Sequence, residues 1–396
     1  MDTQPDANKQ VQLLHDRVEK YLNIVESQLS LFSFLDSSIA AENVQELDKL
    51  KGEVAKLRGE LDDSGDNPYF KNVLLPHIES SLASSIASVR LADTSVNLDT
   101  RQRYMLHMQR EQLELKDVEP AIEIYHNLVE ELFKLQRQVP PESIPPLPIS
   151  DVEEYGRFCG KIVYELDRIA SGMFGRKVKT PADFDIKEKS HHHFLGQINV
   201  GFEHSLPKLV MIIAHEGPFG HNTHDNFSKD PAFQKHYSHT TEGLAVLGCM
   251  IALKEYMSDE RYKNMVDYMC YDRQMDDALN ASFEKLLFHD MVDAEQLAEK
   301  LHSKLLSKEY LLKRYKNIAC SRDDRFRFDS APYFAGYRIV SEAYYSNMER
   351  LKQKFSGDDI KVPQMQLLNV LYSGLRPARI LAVQANLAVD KILNPV

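Results

Sequence analysis

Apolar residues recur at three- and four-residue intervals along most of this chain, and that spacing commits it to helices. Leu13, Leu14, Val18, Tyr21, Leu22, Val25, Leu29 and Phe32 trace one face of a 3.6-residue repeat. The same pattern predicts further helices over roughly 40–62, 70–93, 98–138, 151–174, 241–257, 259–289, 293–318, 331–355, 363–373 and 377–393. Starts are marked by capping signals such as Ser150 followed by Glu153. Strand-like alternation is confined to "GQINVGF" at 196–202. The expected fold class is all-α, a multi-helix architecture with at most a very short strand near 196–202. No self-similarity at the roughly 30–50-residue periods of solenoids is visible.

The helical pattern is interrupted once by composition. "VPPESIPPLPISD", 139–151, holds five prolines, which lack an N–H and cannot continue a helix. It predicts an N-terminal helical subdomain over 1–138, a Pro-rich connector at 139–150 and a helical region over 151–396 that carries the chemistry. Within the first part, "AENVQELDKLKGEVAKLRGELDD" reads as a solvated helical face with i, i+4 charge pairs, which offers a protein partner a surface.

Charge narrows the partners. With 48 basic and 59 acidic residues the formal net charge is −11, and no lysine or arginine block could track a phosphate backbone, which argues against nucleic acid. Cys159, Cys249, Cys270 and Cys320 are widely separated without a C-x-x-C pair, so reduced, buried thiols are expected. The first thirty residues lack a basic n-region and an apolar h-region, and no run approaches the ~18 apolar residues of a membrane span. The expectation is a cytoplasmic protein with no membrane partner.

Nine of the fifteen histidines fall between 191 and 239, a clustering that calls for a cause. Its centre is "IIAHEGPFGHNTHDNF", 212–227. An H-E-x-x-H helix places two imidazoles on one face, but the residue four places after His215 is Phe219. The next histidine, His221, would diverge by about 120° on an unbroken helix. Pro218 has no N–H for the Ala214 carbonyl, and Gly220 tolerates unusual backbone angles, so a kink is predicted that turns His221 back toward His215. Glu242 opens "TTEGLAVLGCMIALKEYM", an almost wholly apolar helix, where a buried carboxylate needs a partner. His215, His221 and Glu242 are therefore candidate ligands of one zinc ion, with iron or manganese as alternatives, and a fourth position is left for water. Glu216, a helical step of about 100° from His215, is the candidate general base.

Other candidates carry blander readings. "SHHHF", 190–194, reads as a solvated loop in which His191 or His193 could line a cleft. His236 and His239 flank the Glu242 helix, at the surface or behind the ligands. Tyr333, Tyr337, Tyr344 and Tyr345 recur at helical spacing and read as core, with Tyr337 alone marked for mutation.

"HEGPFGHNTH" followed by "EGLAVLG" resembles the domain of unknown function 885 family, helical zinc peptidases with an H-E-x-x-P-G-H-x-x-Q segment and a later E-G-W-A-L-Y. The likeness extends through "HDMVDAEQLAEKL", "APYFAGYRIVSEAYYSNMERL" and "LLNVLYSGLRPARIL", so it covers roughly 190–385. It implies zinc on His215, His221 and Glu242, Glu216 as base, and His289 and Tyr337 as groups that polarise the substrate carbonyl. The chain departs from the pattern at Pro218, one place early, at His224 in place of the glutamine and at Leu244 in place of the tryptophan. Arg273 and Asp277 look like another family pair, but the histidine expected four residues later is Ala281.

Three readings follow. The first is a zinc-dependent hydrolase of peptidase type acting on peptides or small amides. The second is a catalytically inactive helical interaction protein that retains a structural metal. A non-haem iron or di-iron protein is the third, although paired E-x-x-H ligands are not evident.

Overall fold

The structure is a computed structural model that describes residues 7–31, 37–62, 70–93, 95–139, 144, 147–149, 151–180, 183–187, 197–201, 204–227, 238–319, 328–373 and 376–394. Its fold is all-α. Helices α1 (Ala7–Leu31), α2 (Ser37–Asp62) and α3 (Leu75–Ala92) precede α4 (Thr100–Arg110), α5 (Leu115–Val118), α6 (Ala121–Gln136) and α7 (Val152–Phe174). Two five-residue strands, β1 (Asp183–Lys187) and β2 (Gln197–Gly201), pair in parallel with Phe184 opposite Ile198. Then come α8 (Leu206–Glu216), α9 (His221–Phe227), α10 (Ser238–Tyr256), α11 (Lys263–Glu284), α12 (Ala294–Leu301) and α13 (Lys308–Ala319). The chain closes with α14 (Ser330–Lys354), α15 (Lys361–Leu371) and α16 (Ala378–Leu393). β2 falls in the stretch where alternation predicts a strand; its partner β1, "DFDIK", alternates in the same way but lies outside the predicted stretch.

Three of the expected boundaries are corrected. The predicted 98–138 helix is three helices: Gln112 takes a left-handed φ of 59° with its side-chain amide on the Gln109 carbonyl, and Pro120 stands ahead of α6. A capping box between Asp99 and Gln102 starts α4. The predicted 293–318 helix is likewise split, into α12 and α13, and 303–306 between them form a turn around the Ser303 hydroxyl. The N-cap of α7 is Asp151, whose side chain accepts from the Glu154 amide, and Ser150 lies outside the described residues.

The interior is divided differently from the expected 139–150 boundary. Val11, Val18, Leu47, Val54, Leu82 and Val89 form a core shared by α1, α2 and α3, joined by Leu74 just ahead of α3. Residues of α4 and α6, Tyr104, Met108, Tyr125 and Val129, instead share a core with Leu279, Phe283, Leu297, Leu311 and Phe334 from after the connector. Apolar surface removed from water stabilises at roughly 25 cal/mol per Å², so shared burial and not proline content decides where one unit ends. The third and largest core surrounds α10, whose Leu244, Leu247 and Leu253 are inaccessible to solvent, and draws on α7, α8, α14, α15 and α16.

Cys159, Cys249 and Cys270 are free, buried thiols, and burial pushes Cys159 and Cys249 up to about 12. Cys320 lies outside the described residues. Among the described residues no helix is long and apolar enough to cross a membrane.

Candidate metal centre

The break after α8 is built from the residues that end the helix. Gly217 still donates to the Ile213 carbonyl at 2.9 Å, but its φ of −112° and ψ of −115° turn the chain. Pro218 has no N–H, so the Ala214 carbonyl is taken by the Phe219 amide at 3.2 Å. The Thr223 hydroxyl then donates to the Pro218 carbonyl, and the His224 amide to Gly220, which starts α9. Gly220 permits the crossing: a Cβ there would lie 1.5 Å from the His215 carbonyl oxygen. Gly248 permits the docking of this turn on α10, since its Cβ would lie 1.9 Å from the Phe219 carbonyl oxygen. The Tyr372 hydroxyl sits between the Phe219 and Leu244 carbonyls, at 2.5 and 3.0 Å, and ties the turn to α10.

This backbone brings His215, His221 and Glu242 together. His215 Nε2 lies 3.3 Å from Glu242 Oε2, and His221 Nε2 lies 3.3 Å from Glu242 Oε1. The two imidazoles meet edge to face, with centroids 4.9 Å apart and an interplanar angle of 85°. One ligand atom from each residue lies within 4.8 Å of the others, the single such group of histidine, cysteine and carboxylate side chains among the described residues. A tetrahedron with metal–ligand bonds of about 2.0–2.1 Å has edges of about 3.3 Å. The two nitrogen–oxygen distances, each to a different oxygen of Glu242, are close to that length and exceed the ~2.7–2.9 Å of a charge-assisted hydrogen bond. The donor set, two imidazoles and a carboxylate on partly exposed side chains, therefore fits one zinc ion. Burial pushes the Glu242 carboxyl up, but the two imidazoles beside it outweigh burial and hold the group well below the carboxylate range. It is thus a carboxylate, the form a metal needs.

Polar residues behind the ligands are themselves paired. On α11, Arg273 Nε meets Asp277 Oδ2 at 3.1 Å. Asp277 lies within electrostatic reach of His215 and Arg273 within reach of Glu242, so the pair stands behind both ligand types. Position 281, where the family pattern places a histidine, is a fully buried alanine. His239 is inaccessible to solvent, with Nδ1 2.9 Å from Glu111 Oε2. Burial pushes the Glu111 carboxyl up, yet the hydrogen bond from His239 and the charges of His239 and Arg110 bring it down to about 2. Asp329 is pushed up to about 6, by burial first, with Arg110 opposing and Glu111 and Glu242 adding to the rise.

The remaining expectations fare unevenly. Glu216 is half-buried beside His215 at the end of α8, and its carboxylate has no hydrogen-bond or ion-pair partner among the described residues. Tyr337 is not at the triad: its hydroxyl donates to Met250 Sδ at 3.2 Å, eight residues and about 12 Å along α10 from Glu242. His289 is not there either, since its ring contacts are Asp290 at 2.7 Å, Arg101 at 3.4 Å and Tyr104. Residues 190–194 and His236 lie outside the described residues. His224 is buried with its ring 6.5 Å from that of Tyr372.

Tyr333 is the residue that periodicity passed over. One turn before Tyr337 on α14, it lies within electrostatic reach of Glu242, Asp329 and Glu111; burial first, and these charges next, push its hydroxyl far above the ordinary tyrosine value. Both tyrosines share a helical face, and their spacing does not say which turn reaches Glu242. The level of α14 is set by Gly243, where a Cβ would lie 2.6 Å from the Gly336 carbonyl carbon. The two glycines are the signal that was available.

No family model matches this chain, and no curated protein matches it. Solved structures resemble it, among them the following two. A "putative lipoprotein of unknown function" from Shewanella oneidensis superimposes with a TM-score of 0.51 at 13% identity, over 96% of this chain and 79% of that one. A "putative lipoprotein" from Colwellia psychrerythraea gives 0.49 at 12% identity, over 99% and 77%. At this identity the first likeness defines a shared helical fold and nothing of the chemistry.

Proposed function

We propose that this chain is a zinc-dependent hydrolase of peptidase type, acting on peptides or small amides, and a divergent relative of the domain of unknown function 885 family. The observation that carries the reading is the convergence of one ligand atom each from His215, His221 and Glu242 to within 4.8 Å of one another. A bound zinc ion supplies Lewis acidity, which polarises a carbonyl and acidifies water.

The residues around it have separable tasks. Glu216, next to a ligand and without a partner among the described residues, takes the proton of the attacking water and returns it to the leaving amine. Tyr333 is the hydroxyl donor for the developing oxyanion, in the place the sequence offered to Tyr337 and His289. Arg273 and Asp277 hold the ligands in orientation. A purely structural zinc site is usually closed by four protein ligands, whereas three converge here among the described residues; this favours hydrolysis over an inactive interaction protein with a structural ion.

The test is metal content of untagged protein after zinc supplementation, with cleavage of a fluorogenic peptide library. The reading expects close to one equivalent of zinc in the wild type and its loss in His215→Ala and Glu242→Ala, with metal-dependent cleavage. Zinc below about a tenth of an equivalent removes the reading; bound zinc without cleavage leaves only the structural site.

A further inference from the structure

A cavity of about 280 Å³ opens between α6, α10, α11 and α14. It stands apart from the triad, because Met250 on its wall is about 12 Å along α10 from Glu242. Ile124 and Phe334 give it apolar walls. Its polar lining is unusual in having donors with little to donate to. The Tyr337 hydroxyl and the Gln274 amide both point at the same atom, Met250 Sδ, at 3.2 and 3.6 Å. A thioether is a weak acceptor, so two strong donors are served poorly.

Arg338 adds a third. Its Nε is buried without an acceptor among the described residues, and its terminal nitrogen stands 3.8 Å from Asp117 Oδ1. That carboxylate is already committed: Arg379 holds both oxygens at 2.7 and 2.8 Å, and the Glu114 amide donates to one of them. Lys254, also on the wall, has a ring contact, 5.9 Å to the Tyr345 centroid. Two cations and two neutral donors thus face one small space whose lining contains no carboxylate. A buried donor lacking an acceptor forfeits its hydration without return, so an oxygen-bearing anion is the complement of this lining.

We propose that this cavity binds a small organic anion, a carboxylate on an apolar body, with the carboxylate on Arg338 and Lys254 and the body against Ile124, Met250 and Phe334. The site does not depend on the metal reading. Its size, below the about 300–1,000 Å³ of drug-sized sites, suits a molecule no larger than a fragment.

Benzoate is the probe, titrated by calorimetry into the full chain, with benzamide and benzylamine as neutral and cationic isosteres and inorganic phosphate as the anion without an apolar body. Benzoate should saturate one site, with benzamide and phosphate at least about tenfold weaker and benzylamine inert. Arg338→Met and Lys254→Met, both at partly exposed or exposed positions, should each weaken benzoate about tenfold without lowering the melting temperature, and His215→Ala should leave its affinity unchanged. No saturable benzoate binding, equal binding of benzamide, wild-type affinity in Arg338→Met, or loss of binding in His215→Ala would each overturn the proposal. Phosphate binding as tightly as benzoate would overturn the apolar half of it.

Discussion

Gly220 crosses the backbone of His215 so closely that a Cβ on it would stand 1.5 Å from the His215 carbonyl oxygen. This contact is what allows the chain to reverse between the two imidazoles. Gly220→Ala should therefore force the turn apart, lowering stability by about 2–4 kcal/mol and zinc occupancy with it. Thermal melts and metal analysis read both. Gly160→Ala is the control, since its Cβ meets nothing within 4 Å and it lies inside α7; a gain of up to ~1 kcal/mol is expected there. A Gly220→Ala protein with wild-type melting and zinc would show that the turn tolerates a side chain.

Glu216 separates binding from turnover. Glu216→Gln keeps the shape of the side chain and removes the base, so zinc content should remain near one equivalent while kcat falls about 10²–10⁴-fold. Equal loss of metal and activity would instead make Glu216 a structural residue.

Tyr333 and Tyr337 can be told apart by the same readout. Loss of an oxyanion donor costs about 10²–10³ in kcat, so Tyr333→Phe should lower kcat at least about tenfold more than Tyr337→Phe. The reverse order would return the role to Tyr337 and show that its hydroxyl leaves Met250 during the reaction.

The Glu111 and His239 pair predicts a pH dependence of stability. The Glu111 carboxyl is held near 2 in the folded chain, against an ordinary 4.5, because its desolvation is outweighed by the hydrogen bonds from His239 and the charges of His239 and Arg110 taken together. A depressed carboxyl stabilises fully above its unfolded value, and that contribution, on the order of 3 kcal/mol, is lost as pH falls from 4.5 through about 2. Denaturant melts of wild type and Glu111→Gln should accordingly differ most at pH 6 and converge toward pH 2–3. A gap that stays constant with pH would assign the loss to packing alone.

Periodicity alone made much of the architecture legible, because i, i+3 and i+4 apolar spacing is a local property that any helix must satisfy. The segments it missed were ends, breaks and one short strand: Gln112 enters a left-handed conformation that its residue type does not advertise, and β1, although "DFDIK" alternates, is only five residues long. Pro218 and Gly220 announced a kink between His215 and His221 in the same way, as backbone constraints carried by the residues themselves.

What the sequence by itself determined was therefore the helical class, the break after α8 and the residue types able to hold a metal. Only the tertiary structure decided that Glu242 meets both imidazoles, that the Tyr337 hydroxyl goes to Met250 while Tyr333 lies within electrostatic reach of Glu242, and that α4 and α6 share a core with the chain beyond the prolines. The reason is physical: local geometry follows from neighbours along the chain, whereas helix register follows from close approaches such as Gly243 on Gly336, between residues 93 positions apart that no local pattern connects.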